Sequence, residues 1–155
     1  MHSCAVAIVL IHTITSVLDF SPCIALHTLT IVLNFAIDRD LEDDVFALDR
    51  HAQIFTTCGL SHSNNPALRR VELRIQGIES GYVDDVWEEQ EVIEILAENA
   101  LDLALVHFME RMDTIDKIHI YCQLWDSNQE KKKTDFICGV FPNVARAGRF
   151  VLTKG

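Results

Sequence analysis

The chain has 155 residues, of which 49% are apolar and 23% are charged, so its composition is that of one globular domain rather than a disordered segment. Its formal net charge of −10 at pH 7 argues against nucleic-acid binding, which needs a basic face. The five cysteines are scattered and include no Cys-x-x-Cys pair. This pattern favours a reducing cytoplasm or nucleus over an extracellular disulfide framework.

The first apolar stretch, residues 5–14, is rich in β-branched side chains and predicts a buried strand. It also resembles the apolar region of a signal peptide, although no Lys or Arg precedes Arg39. A signal peptide over residues 1–21 would make the chain a small secreted interaction protein, and this alternative stays open. The apolar run is far too short to cross a bilayer, so we expect no membrane partner.

Three segments share one pattern, in which apolar residues two positions apart are followed by an amide side chain. The segments are Leu26 to Asn34, Leu68 to Gln76 and Ile115 to Gln123. Apolar residues two apart form one buried face of a strand, so we predict strands over 26–33, 68–75 and 117–122.

Helical patterns separate these strands. Apolar residues recur at steps of three and four from Leu41 to Phe55, which predicts an amphipathic helix. A second helical stretch runs from about Val83 to Met112, acidic in its first half and almost wholly apolar after Asn99. This change of polarity predicts either a kink near Asn99 or a helix that passes from solvent into the core.

Strands joined through full helices must lie parallel, with right-handed crossovers covering one face. The predicted fold class is therefore α/β, with short, incomplete parallel β-α repeats over residues 1–125. The pattern resembles leucine-rich repeats, in which the amide bonds the backbone where the strand bends into its loop. The alternative is an ordinary three-layer α/β fold. Residues 126–155 form a tail without a recognised motif, in which 136–141 and 149–152 are candidate short strands.

Parts of the chain resemble mushroom-type fungal F-box proteins. The likeness covers about residues 18–123 and rests on Leu18-Asp-Phe-Ser-Pro-Cys-Ile-Ala-Leu-His-Thr-Leu-Thr-Ile31, Asp43 to Arg50 and Pro66 to Ile75. In that family a leucine-rich-repeat-like region recognises substrates, and a helical F-box docks on the ubiquitin-ligase adaptor. No stretch of this chain resembles the F-box itself. The resemblance implies substrate recognition and supplies no catalytic residues.

Candidate catalytic and metal-binding groups are few. Cys58 and His62 lie on one predicted loop, but a structural zinc site needs four ligands. His119 and Cys122 are three positions apart on one predicted strand, so their side chains point to opposite faces and cannot form a nucleophile pair. We predict no catalytic residue, no metal and no cofactor, and therefore a non-enzymatic protein-interaction module. An enzyme whose pocket assembles from distant loops is the alternative.

The predicted strands define a candidate binding face. Positions between the buried ones point the other way and form three rows when the strands are aligned. The rows are Thr28, Arg70 and Lys117; Thr30, Glu72 and His119; and Val32, Arg74 and Tyr121. Arg and Tyr anchor protein interfaces, so we predict that a protein partner of unknown identity binds here. The alternative is a merely solvated sheet face.

The N-terminal strand is nearly continuous in Ala, Val, Ile and Leu. An uncovered apolar edge strand pairs readily with another chain. We therefore predict that the chain self-associates or belongs to a longer polypeptide or complex, unless the C-terminal tail folds back onto this edge.

Overall fold

The computed structural model of the protein describes residues 6–10, 19–35, 41–77 and 90–154. Its elements in chain order are β1 (Val6–Leu10), β2 (Thr28–Phe35), α1 (Leu41–Thr56), β3 (Arg70–Gly77), α2 (Gln90–Leu96), α3 (Leu101–Arg111), β4 (Ile118–Cys122), α4 (Glu130–Val140), α5 (Pro142–Arg146) and β5 (Phe150–Leu152). The predicted helix over 41–55 is confirmed by α1, and the strand predicted within 5–14 is confirmed over β1.

All five strands belong to one parallel sheet in the order β1-β2-β3-β4-β5. The three central strands are the predicted ones, and they are parallel neighbours as expected. The register is also the predicted one, because Thr30 pairs with Glu72 and Glu72 with His119. The protein is therefore an α/β protein whose strand order never reverses.

The hydrophobic core lies on one face of this sheet. Alternate strand residues such as Leu29, Leu73 and Ile120 are buried there together with Phe55 of α1 and Phe108 of α3. The two phenylalanine rings pack with their centroids 4.9 Å apart. Helices α1 and α3 therefore cover the same face, as the repeated β-α pattern predicts.

The predicted single helix over 83–112 is wrong in its described part, because the chain forms two helices there. Buried Asn99 lies at the break, where its Nδ2 donates to the carbonyls of Leu96 and Val140 at 2.7 and 2.9 Å. Its side-chain oxygen accepts the backbone N–H of Asp102 at 3.0 Å and so caps the start of α3. Of the two alternatives, the kink near Asn99 is the nearer one, and it is a full interruption between α2 and α3. Residues 83–89 lie outside the described residues.

The C-terminal tail is part of the same core. The strand predicted over 136–141 is wrong, because this segment forms the end of α4, where Phe136, Ile137 and Val140 are buried at helical spacing. The strand predicted over 149–152 is confirmed by β5. It pairs with β4, so the alternative in which the tail covers the β1 edge is also wrong.

The amides Asn34 and Gln76 lie at the ends of two strands. β2 and β3 each extend one residue further, to Phe35 and Gly77. The two amides pair in register, at alternating positions that place them on the face opposite the core.

None of the helices within the described ranges is long and apolar enough to span a membrane.

Candidate functional site

The sheet face opposite the core carries a group of polar side chains on β3 and β4. We call this group the open face and define it by Arg70, Arg74, His119 and Tyr121, with Glu72 beneath them. The arginine side chains are 37% and 35% exposed, whereas that of Glu72 is 10% exposed. His119 and Tyr121 are half-buried. The surface of the open face is therefore mainly guanidinium, imidazole and phenol.

Glu72 on β3 connects that strand with β2. Its carboxylate accepts hydrogen bonds from Arg70 Nε at 2.6 Å and from the Thr30 hydroxyl at 3.0 Å. Arg74 Nη2 reaches the same carboxylate at 3.5 Å. The carboxylate is thus held by groups from two strands, which fixes its position beneath the open face.

Tyr121 is held between the two arginines. Its hydroxyl oxygen accepts a hydrogen bond from Arg70 Nη2 at 2.8 Å. The guanidinium of Arg74 lies 4.3 Å from the centre of the Tyr121 ring, within the range of a cation–π contact. Both arginines and the tyrosine are therefore ordered by contacts within the protein.

The surroundings change the pKa values of three of these groups. Burial acts to raise the pKa of Glu72, but the hydrogen bonds from Arg70 and Thr30 and the arginine charges together lower it. The hydrogen bond to Glu72 is the main reason that the pKa of Arg70 is raised. Burial, followed by the charge of Arg70, lowers the pKa of His119. Glu72 is therefore anionic and His119 neutral at pH 7.

The described strands place the nine predicted binding residues in different environments. Thr30 and Val32 are buried at 4% and 8% exposure, so they offer a partner little contact area. Thr28 is half-buried, and its hydroxyl lies 2.9 Å from His27 Nδ1. Lys117 is exposed one residue before β4. The contact surface is thus narrower than the three predicted rows and centres on β3 and β4.

The candidate nucleophile and metal residues lie apart from this face. His119 and Cys122 lie on opposite faces of β4, as predicted, and burial raises the pKa of the Cys122 thiol. Cys58 is buried and His62 exposed on the loop after α1. Within the described residues, no group of three or more His, Cys, Asp or Glu side chains could hold a metal ion.

A cavity that the sequence did not predict lies at the carboxyl ends of β4 and β5. Its volume is about 210 Å³, and its walls include Tyr121, Trp125, Lys133 and Lys154. These residues come from the end of β4, from the segment that follows it, from the chain after β5 and from the first turn of α4. Only the packing of α4 against the sheet brings them together, so no local motif marks the site.

Comparisons with protein-family models, with curated proteins and with solved structures found no match to this chain.

Proposed function

We propose that the protein is a non-enzymatic interaction module whose open face binds an acidic segment of a partner protein. The observation that carries this proposal is the arrangement of Arg74 and Tyr121, which stack on each other on an accessible sheet face. Arginine and tyrosine are over-represented among the residues that dominate binding energy at interfaces. Here both are ordered before any partner arrives, which reduces the side-chain entropy lost on binding.

The charge of the open face supports an acidic partner. Arg70, Arg74 and nearby Lys117 supply three positive charges, and Glu72 supplies one negative charge from beneath them. The whole chain has a net charge of −10, so this area contrasts with the protein around it. Complementary charge steers the approach of a partner and excludes wrong ones. The cationic area attracts an acidic segment and repels a basic one.

The biological role that we propose is substrate recognition related to that of F-box ubiquitin-ligase subunits, in the cytoplasm or nucleus. Parallel strands in sequential order, with helices on one face and an accessible opposite face, support a leucine-rich-repeat-like module. The resemblance over residues 18–123 supports the same role. The proposal rests on the open face rather than on the amides Asn34 and Gln76.

Selection from a phage-displayed library of random linear peptides tests the proposed function. We expect the immobilised wild-type chain to enrich peptides rich in Asp and Glu, and R74A/Y121A to lose them. The matched control is R50A/F46A, which removes another arginine–aromatic contact, of 4.8 Å, from helix α1. Binders that lack acidic residues, or that R74A/Y121A retains, would overturn the proposal.

A further inference from the structure

We propose that the cavity at the carboxyl ends of β4 and β5 binds a small organic anion through Lys133 and Lys154. This site goes beyond the proposed function, because neither lysine belongs to the open face. In open α/β sheets whose strand order reverses, ligands bind at the carboxyl ends of the strands, in the crevice beside the reversal. The strand order here never reverses, so the crevice has a different origin. Here the crevice forms between the end of β4, the end of β5 and the first turns of α4.

The charges around the cavity favour an anion over a cation. Two ammonium groups, those of Lys133 and Lys154, are present with one carboxylate, that of Glu130. Lys154 Nζ lies 3.8 Å from Glu130 Oε1 across a solvent-exposed gap, so this ion pair is weak. Lys133 makes no ion pair with Glu130, and its charge also acts on the Cys122 thiol, which borders the cavity.

The start of α4 adds to the positive potential. The first turn of a helix has backbone N–H groups without partners inside the helix, and the helix dipole places partial positive charge there. Gln129 at the N-cap makes no side-chain hydrogen bond to that turn. Because Ser127 and Glu130 border the cavity, this end of the helix lies beside it.

Trp125 supplies an independent observation. The residue is only 5% exposed, and its Nε1 has no hydrogen-bond partner among the described residues. A buried N–H without a partner is unfavourable, because its lost hydration is not replaced. Trp125 is part of the cavity wall, but its Nε1 is closed to solvent, so a ligand oxygen gains this hydrogen bond only when the indole turns its N–H towards the cavity.

The volume of the cavity gives the scale of the ligand part that it holds. An enclosed apolar cavity of about 150 Å³ holds one benzene molecule, so this solvent-open cavity of about 210 Å³ holds roughly eight non-hydrogen atoms of a ligand. Succinate is of that size and inorganic phosphate is smaller. The shared chemistry is a compact anionic oxygen group, and a titration with each compound distinguishes a carboxylate from a phosphate ligand.

Nuclear magnetic resonance titration of the full chain tests this inference, with the indole N–H of Trp125 as the reporter. Trp87→Phe assigns the two indole signals. We expect succinate or phosphate, at constant ionic strength, to shift the Trp125 signal saturably with a millimolar or lower Kd. Lys133→Glu should weaken binding by roughly tenfold or more, and Lys154→Met should weaken it as a second variant.

The matched control is Lys131→Glu, which makes the same charge change on the same helix at an exposed residue outside the cavity wall. This variant should bind as the wild type does. A Trp125 signal unaffected by both anions at millimolar concentration, or equal weakening by K131E and K133E, would overturn the inference. Tyr121 belongs to both sites, but none of these variants changes it, so failure of this inference is distinguishable from failure of peptide binding at the open face.

Discussion

Glu72 determines how the open face is arranged. Its buried carboxylate contacts Arg70 and Arg74 on its own strand and Thr30 on β2. Long arginine side chains lose substantial conformational entropy when an interface orders them. Glu72 orders both arginine side chains before a partner binds. It is therefore a positioning residue for the open face, although it is itself largely buried.

Replacing Glu72 with Gln keeps the shape but removes the charge that both guanidiniums face. We expect E72Q to lower the free energy of unfolding by about 1–3 kcal/mol, the usual result of removing one partner of a charged, largely buried hydrogen bond. Chemical denaturation at pH 7 measures this. Glu110→Gln, at an exposed glutamate of α3, is the control, and equal stability of the two variants would contradict the role of Glu72.

The difference in stability between wild type and E72Q should depend on pH. Because the folded-state pKa of Glu72 is lowered, its stabilising effect is complete above its ordinary pKa and is lost as the pH falls through the lowered value. The stability difference between wild type and E72Q should therefore shrink as the pH is lowered below 4. A difference that stays constant would show that the charge of Glu72 is not the cause.

His119 should make the protein less stable at mildly acidic pH. Its pKa is lowered in the folded state, so the unfolded chain binds the proton at higher pH. Stability is then lost as the pH falls from about 6.5 towards the folded-state pKa. We expect H119Q to lose less stability between pH 7.5 and pH 5.5 than wild type and the exposed-histidine control H62Q, as measured by urea denaturation. Equal losses in all three would contradict this assignment.

At the scale of elements, the helices pack closely enough to require a small residue on α4. A Cβ atom at Gly139 would overlap Cγ2 of Ile93 on α2. The clash is with an atom attached directly to the branched Cβ of isoleucine, so the side chain cannot simply swing away. Gly139 therefore sets the distance between α2 and α4.

Gly139→Ala should destabilise the protein by about 1–3 kcal/mol, the usual result of overpacking, despite the higher helix propensity of alanine. Thermal denaturation measures the change. Ile93→Ala removes the overlapping atom, so G139A should cost less in that background than in the wild type. An equal effect in both backgrounds would show that the contact with Ile93 is not responsible.

The elements differ in how well the sequence predicts them. The three central strands and even their register follow from apolar residues two positions apart, because one face of the sheet is buried. The apolar run over 136–141 predicts a strand although it ends helix α4, because a short apolar run is the same in a buried helix and in a strand. The local polarity predicts a change near Asn99, but the hydrogen bond from Asn99 to the Val140 carbonyl, 41 residues away, is contained in no local pattern.

The features of the candidate site also differ in how well the sequence predicts them. The alternation of strand residues correctly places Arg74 and Tyr121 next to each other, which the structure refines to a 4.3 Å stacking contact. The alternation does not indicate that Thr30 and Val32 are buried, or that Glu72 connects β3 with β2. The contact of Glu72 with Thr30 joins side chains on two strands, so it is absent from the pattern of either strand alone. The cavity beside Trp125 depends on the packing of α4 and is likewise invisible in the sequence.

At the scale of the whole molecule, the sequential strand order leaves β1 and β5 as the two edges of the sheet. Within the described ranges, β1 pairs only with β2, and the C-terminal tail lies at the opposite edge. A parallel strand with one unpaired side can bind a strand of another chain through its backbone.

We therefore expect the purified chain to self-associate. Sedimentation velocity over a micromolar concentration range should show a weight-average sedimentation coefficient that rises with concentration. A coefficient that stays at the monomer value over that range would contradict the prediction and would show that the β1 edge is covered in solution.

The most direct test of the central claim is the affinity of the open face for an acidic peptide recovered by selection on the wild-type chain. Isothermal titration calorimetry would compare wild type, R74A/Y121A and R50A/F46A, after thermal denaturation has shown that all three are folded. We predict that R74A/Y121A weakens binding by tenfold or more, or at least about 1.4 kcal/mol, and that R50A/F46A binds as the wild type does. Unchanged affinity of R74A/Y121A would contradict the assignment of the open face as the binding surface.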